Sequence, residues 1–317
     1  MRPAVSAYAP DGVPEVAAGD DLATLLLAAL GDAALVDGDI VAVTSKVVSK
    51  AEGQVRVSTR EAELAGETRR VVARRGATAI VRNRLGLTLA AAGIDASNVA
   101  PGHVVLHPAD PDASARTLRE TILARTGRTV GVIVTDTAGR AWREGQTDIA
   151  IGAAGIEVLE SFVGREDAHG NSLVVTAPAV ADELASLAEL ASGKLGGRPF
   201  AVLRGRADLV LPAGEYGAGA AALIREEGRD FFGYGAREAV VRALAGRPGD
   251  AAPFGAPASV EEVCEALVTV LGVPPQAADG GLLVAHPVDG VLRALAFAHG
   301  WSVEDGGDAA RLVPRSA

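Results

Sequence analysis

The chain has 317 residues, 49% of them hydrophobic and 22% charged, with a formal net charge of −10. That apolar content supplies a core for one large or two modest soluble domains, the acidic balance excludes general nucleic-acid binding, and no run reaches the ~20 apolar residues of a membrane span. A lone cysteine, Cys264, excludes an intrachain disulfide or thiolate cluster, and "MRPAVSAYAPDG" lacks the apolar core of a signal peptide, so a cytoplasmic protein without nucleic-acid or membrane partners is expected.

In chain order, "DDLATLLLAAL" (20–30) predicts an amphipathic helix, "GDIVAVTS" (38–45) a buried strand and "TREAELAGETRRVVARRG" (59–76) a helix. "HVVLHP" (103–108) and "TVGVIVTD" (129–136) predict strands, the second central in a sheet, with a helix between them over "SARTLRETILARTG" (114–127). "NSLVVTAPAV" (171–180) predicts a strand and "VADELASLAELASG" (180–193) a helix ending at Gly193, followed by strands in "PFAVLRG" (199–205) and "ADLVL" (207–211). The Gly-, Pro- and Ala-rich residues 246–258 read as a linker between a main domain, 1–245, and a small α/β module, 259–317. That module opens on Ser259 and Glu262, a capping-box pattern, and its His286 and His299 have no partners at metal-ligand spacing. Helices and strands alternating without a strict βαβ rhythm indicate an α/β fold of mixed layers.

Three stretches carry candidate chemistry. In "AAGIDASNVA" (91–100), Asp95 and Asn98 stand among small residues, which suits either an Asx turn or a cation or phosphate site. In "GVIVTDTAGRAWREG" (131–145), Asp136 ends an apolar strand, a rigid placement for a carboxylate holding Mg²⁺ against phosphate, and Arg140 and Arg143 can clasp an anion; a turn flanked by solvated arginines is the plainer alternative. In "VAVTSKVVSKAEG" (41–53), Lys46 and Lys50 lie four apart beside Ser45, one face of a helix if helical, and form a possible phosphate cradle. The chain has 30 basic residues, and Lys46, Lys50 and Lys194 are its only lysines; the third falls in the Gly-rich "ASGKLGGRP" (191–199). No Walker loop is present. Gly217, Gly219 and Ala222 imitate a dinucleotide fingerprint, but the preceding turn is too long and no acid-tipped strand follows.

"DGVPEV", "VTSKVVSKAEG", "AAGIDASNV", "GVIVTDTAGRAWREG" and "ADELASLAELASGK" occur in this order, and together they resemble the F420-0 gamma-glutamyl ligase family over about residues 1–245. The resemblance implies a two-part α/β fold, an intertwined homodimer, and an enzyme that adds L-glutamate to the lactyl carboxylate of F420-0 and then extends a γ-linked tail. It implies GTP as co-substrate, Mg²⁺ or Mn²⁺, and K⁺ in some members. By position, Asp95 and Asp136 resemble metal-holding carboxylates, and Thr137 a contact to a second metal. Asn98, Ser45, Lys46 and Lys50 resemble nucleotide contacts, as do Val13, Pro14, Glu15 and Val16 at the N-terminus and the loop of Ser192, Gly193, Lys194, Leu195, Gly196, Gly197 and Arg198. Lys194 departs from the family pattern, which has an acid there; a charged lysine cannot ligate a metal and would meet phosphate directly. The implied chemistry moves the γ-phosphoryl group of GTP to the carboxylate, and the glutamate amine displaces phosphate from the acyl phosphate. It requires charge and positioning from Asp95, Asp136 and Lys50, with Arg140 anchoring an acidic substrate, and no protein nucleophile. A non-catalytic binder of nucleotide or F420 precursor, and a metal-dependent phosphohydrolase, remain the alternatives.

Overall fold

The computed structural model describes residues 4–315. Its first elements are β1 (Ser6–Tyr8), α1 (Leu22–Leu30), β2 (Ile40–Thr44), α2 (Ser45–Ala51), β3 (Val55–Val57), α3 (Arg60–Glu67), β4 (Thr68–Arg75), β5 (Thr78–Asn83), β6 (Thr88–Ala90) and β7 (His103–Val105). There follow α4 (Pro111–Thr126), β8 (Gly131–Arg140), β9 (Arg143–Ala154), α5 (Val180–Ser192), β10 (Phe200–Arg204) and α6 (Ala236–Ala245). The chain closes with α7 (Val260–Leu271), β11 (Gln276–Ala278), β12 (Gly281–Val284), α8 (Gly290–Ala298), β13 (Trp301–Asp305) and β14 (Ala310–Pro314).

A five-stranded sheet, in the order β1-β10-β2-β8-β9, is the centre of the larger unit. Strand β2 and the first four residues of β8, Gly131 to Val134, are apolar almost throughout because both faces of the sheet are covered there. Val41, Val43, Val132 and Val134 meet Leu26, Leu30, Leu118 and Ile122 of α1 and α4, while Ile40, Ala42 and Ile133 meet Val180, Ala181, Leu184 and Ala185 of α5. The alternation of side chains along each strand thus fills two separate cores. Both flanking helices on the first face are capped: Asp21 and Asp110 accept from the amides of Thr24 and Ala113, and α4 ends on left-handed Gly127. Strands β2 and β8 run parallel in register Thr44↔Thr135; the other strand pairs of this sheet are antiparallel. Smaller sheets, β3-β7 and β4-β5-β6, belong to the intervening chain.

The chain divides into two units: the residues up to Val71 with Ile80–Ile224, and Val72–Ala79 with Arg225 onward. The second unit carries a four-stranded antiparallel sheet, β11-β12-β14-β13. Its core joins Val263 and Leu267 of α7, Leu292 and Leu295 of α8, and Leu282, Trp301 and Leu312 from the strands. The Trp301 indole N–H is satisfied by the Ala258 carbonyl at 2.9 Å. Residues 246–258 contain two short 3₁₀ turns, Pro248–Asp250 and Ala252–Phe254, with Pro253 buried in the second.

Four local expectations need correction. Over 59–76 the helix stops at Glu67 and β4 begins: Thr68, Val71 and Val72 are β-branched, and their stiff χ1 suits a strand. "NSLVVTAPAV" is not a strand; Val174 and Val175 are 74% and 89% exposed, and Ser172 makes a single isolated bridge to Glu166. Pro178 in that stretch has no amide to donate to a ladder. "ADLVL" forms a 3₁₀ turn, Ala207–Leu209, and one bridge from Val210 to Ile156. Past Asp136 the chain does not turn at once: β8 continues to Arg140 and returns as the long β9.

Candidate active site at the ends of two parallel strands

The register of β2 with β8 builds the site. Thr44 lies opposite Thr135, so the next residue on each strand, Ser45 and Asp136, emerges side by side at the carboxyl ends of a parallel pair. That is where open α/β sheets bind ligands. The Ser45 hydroxyl donates to Asp136 Oδ1 at 3.2 Å. Helix α2 starts at Ser45 and carries Lys46 and Lys50, which fulfils the reading of two lysines on one helix after a strand. Lys46 Nζ reaches Asp95 Oδ2 and Ser97 Oγ, each at 2.6 Å. Lys50, nearly buried, donates to the Asn98 carbonyl at 2.7 Å and pairs with the Glu15 carboxylate. The two aspartates therefore contact consecutive residues of one helical turn, although 40 residues of sequence separate them.

"AAGIDASNVA" is an Asx turn and a charged site at once. Asp95 Oδ1 accepts from the Ser97 amide at 2.7 Å and Oδ2 from the Ser97 hydroxyl at 2.9 Å. Asp95 also pairs through its backbone with Val105, the last residue of β7, and Asn98 adopts a left-handed φ of 53°. Burial pushes the Asp95 carboxyl upward, but the hydrogen bonds and charge of Lys46 and the bonds from Ser97 hold it below the ordinary carboxylate value.

The next alternate positions on β8 form a second cluster. Thr137 Oγ1 donates to Asp148 Oδ1 of β9 at 2.7 Å, and Thr135 Oγ1 donates to Asp148 Oδ2 at 3.2 Å. Lys194 Nζ donates to Thr137 Oγ1 at 2.7 Å and lies 3.2 Å from Glu189 Oε1. Burial raises the Asp148 carboxyl above its ordinary value; the Thr137 hydrogen bond opposes this, and the Lys194 charge does so against that of Glu189. The Gly-rich loop after α5 has Gly193 and Gly197 at positive φ and Leu195 99% exposed, while Gly196 lies close to the Ser192 carbonyl. Arg198, at the end of this loop, binds Asp11 at 2.6 Å. Thus the loop is tied to the segment containing Val13, Pro14, Glu15 and Val16. In that segment Val16 is buried, Val13 packs on the first core, and Pro14 is exposed. A cleft of about 310 Å³ lies against Glu15, Val16, Lys50, Val55, Val99 and His103.

Arg140 is placed apart from these contacts. It is four residues beyond Asp136 on an extended strand, about 13 Å by strand rise, and its guanidinium donates to the Glu144 carbonyl across the exposed hairpin end. The imitation dinucleotide fingerprint has a filled nest: the amides of Ala220 and Ala221 donate to the carboxylate of Asp112, leaving no room for a phosphate there. His286 and His299 bond local carbonyls. Among the described residues no three His, Cys, Asp or Glu side chains converge in a metal-holding group.

Sequence reasoning missed Asp148 and His107. Asp148 opens the apolar alternation "DIAIGAA" in β9, a signal that was available once β8 was known to return as a hairpin. His107 follows the apolar strand "HVV" and donates or accepts through Nε2 at 2.7 Å from Asp136 Oδ2; nothing in its spacing connects it to residue 136.

The family model for F420-0:Gamma-glutamyl ligase matches residues 12–70 and 58–205, the stretch that supplies most of these side chains. The Coenzyme F420:L-glutamate ligase of Methanopyrus kandleri is 41% identical over 243 residues, 69% of this chain and 93% of its own. Those of Archaeoglobus fulgidus and Methanothermobacter thermautotrophicus are 39% and 37% identical, each over 63% of this chain and covering 88% and 89% of their own lengths.

Proposed function

Because the chain belongs to the F420-0:gamma-glutamyl ligase family, we propose that it is a GTP-dependent ligase joining L-glutamate to the lactyl carboxylate of coenzyme F420-0 through an acyl phosphate, with γ-linked extension following. The observation that carries this reading is the meeting of Asp95 and Asp136 with Lys46 and Ser45 at one turn. A free carboxylate does not form an amide at a useful rate, since oxide is a poor leaving group, so the carboxylate must first be activated. Phosphoryl transfer makes little demand on protein covalent chemistry; it is governed by fixed geometry and charge. Two carboxylates, the ammonium groups of Lys46, Lys50 and Lys194 and the hydroxyls of Ser45, Ser97 and Thr137, with no Ser–His or Cys–His nucleophile–base pair among them, match that demand.

The Asp95 and Asp136 carboxylates are hard oxygen donors and fit Mg²⁺ or Mn²⁺, ions that take one or two protein carboxylates and complete their shell with water and phosphate oxygens; the Thr137 hydroxyl, in the neighbouring cluster with Asp148, is the contact to a second such ion in this reading. Bound there, such an ion supplies charge to neutralise the triphosphate. Lys46 now neutralises Asp95, and in the loaded enzyme its ammonium moves toward phosphate. Lys50 stays anchored by Glu15 and Asn98, with the cleft beside it taking part of the nucleotide. Lys194, held over Thr137, meets phosphate directly. We assign to Arg140, on its exposed hairpin arm, the anchoring of an acidic substrate. K⁺ and a homodimer belong to the same reading.

The test is to incubate the protein with F420-0, GTP, Mg²⁺ and L-glutamate and measure product masses and GDP. A ligase adds the mass of glutamate and releases GDP only when both acceptor and amino acid are present. GDP released without them indicates a phosphohydrolase, and retention of nucleotide with no product indicates a binder. Asp136→Asn is expected to lower product formation at least about 100-fold, the scale on which losing a charge-stabilising group acts; near-wild-type turnover removes Asp136 from the reaction.

A further inference from the structure

His107 and Asn83 are buried, with 3% and 0% exposure, and lie in line with Asp136. The orientation of the Asn83 amide is settled by its neighbours. Its Oδ1 accepts from the backbone amides of Leu85 and Leu87, both at 3.0 Å. Its Nδ2 must therefore be the atom facing the Ala92 carbonyl at 3.2 Å and His107 Nδ1 at 3.3 Å. An NH₂ group aimed at Nδ1 requires a lone pair there, so the ring proton resides on Nε2, which faces Asp136 Oδ2 at 2.7 Å. Gly93 closes the other side: with φ at +78°, a Cβ on it would lie 2.0 Å from His107 Cε1 and 2.4 Å from Nε2. The glycine of "AAGID" is thus required by the ring it packs against, two positions before Asp95.

We propose that His107 is a positioning residue: Asn83 fixes its neutral Nε2–H tautomer, and that N–H holds Asp136 Oδ2 so that Oδ1 is presented to a cation beside Ser45. This rests on the reading of Asp136 as a metal-holding carboxylate. A neutral donor orients the carboxylate without cancelling its charge, as an imidazolium would. Partners of this kind, one bond behind a ligand, are worth about 10–100-fold in metal affinity or activity.

Two measurements test it. The first is the ¹⁵N shifts of the His107 ring in the unmodified, metal-free protein at one neutral pH. A pyrrole-type Nε2 and pyridine-type Nδ1 are expected, with Asn83→Asp drawing the proton to Nδ1; a protonated Nδ1 in the wild type overturns the tautomer assignment. The second is Mn²⁺ affinity in the presence of GTP, read by electron paramagnetic resonance on variants whose circular dichroism matches wild type. His107→Leu is expected to weaken Mn²⁺ about 10–100-fold, and His107→Gln, whose amide can donate in place of Nε2–H, to restore most of the loss. Unchanged affinity in His107→Leu, or no rescue by His107→Gln, overturns the proposal. Wild-type protein that takes up no Mn²⁺ overturns the metal reading itself, a separate outcome from the failure of His107.

Discussion

Burial acts on Asp95 and Asp148 in the same direction, and their partners decide the difference. Asp95 has the Lys46 ammonium against it and falls below its ordinary value; Asp148 has two hydroxyls and a more distant lysine, and rises. The consequences for stability have opposite sign. Asp148 binds its proton more tightly folded than unfolded, so its favourable contribution is complete below the unfolded value of about 3.9 and is lost as pH rises through the raised folded value. Asp95 contributes above that unfolded value and loses its contribution as pH falls through its lowered one. Melting Asp148→Asn beside wild type from pH 4 to 7 should therefore show the variant gaining relative to wild type as pH rises, while Asp95→Asn should lose ground to wild type as pH rises from ~2 to ~4 and hold a constant difference above that. A difference that is flat across its own interval in either variant refutes the assigned cause.

At the scale of elements, the sequence was most informative where one local rule decided the outcome. Ser259 caps α7 as its spacing predicts, accepting from the Glu262 amide at 3.2 Å. Ser259→Ala should cost about 1 kcal/mol, read as a lower denaturation midpoint of the second unit; no change means the cap is compensated by water. The motifs around Asp95, Asp136 and Lys50 were readable because short-range chemistry marks them: an Asx turn, an acid beyond an apolar run, two lysines four apart. Legibility failed where the outcome depended on a partner far along the chain. "RRVVARR" has charges at both ends and a short apolar centre, and only pairing with β5 makes it a strand. "NSLVVT" has the right residues for a strand but, among the described residues, makes only an isolated bridge and a few backbone bonds to residues 162–167. His107 becomes meaningful only because β5 delivers Asn83 and β8 delivers Asp136 to the two sides of its ring.

The whole molecule has separate cores in its two units, and separate cores predict unfolding that departs from a single two-state step. Its two tryptophans make this measurable. Trp301 is 1% exposed at the centre of the second unit's core, whereas Trp142 is 85% exposed at the β8–β9 turn. Tryptophan emission during denaturation therefore follows mainly the second unit, and far-ultraviolet circular dichroism follows both. The two probes should give different midpoints in urea; coincident curves would mean that the units unfold together.

The three lysines place every side-chain primary amine of this chain at the candidate site, with Lys194 open to solvent, Lys46 partly so and Lys50 screened. Acylating reagents, which on most proteins scatter over the surface, would here act as site-directed labels, the N-terminal amine aside. Acetic anhydride or an N-hydroxysuccinimide ester should modify Lys194 first and Lys50 last, and GTP should protect all three, as peptide masses will report. For the same reason, immobilising the protein through its amines would seal the very cleft that such a surface was meant to present.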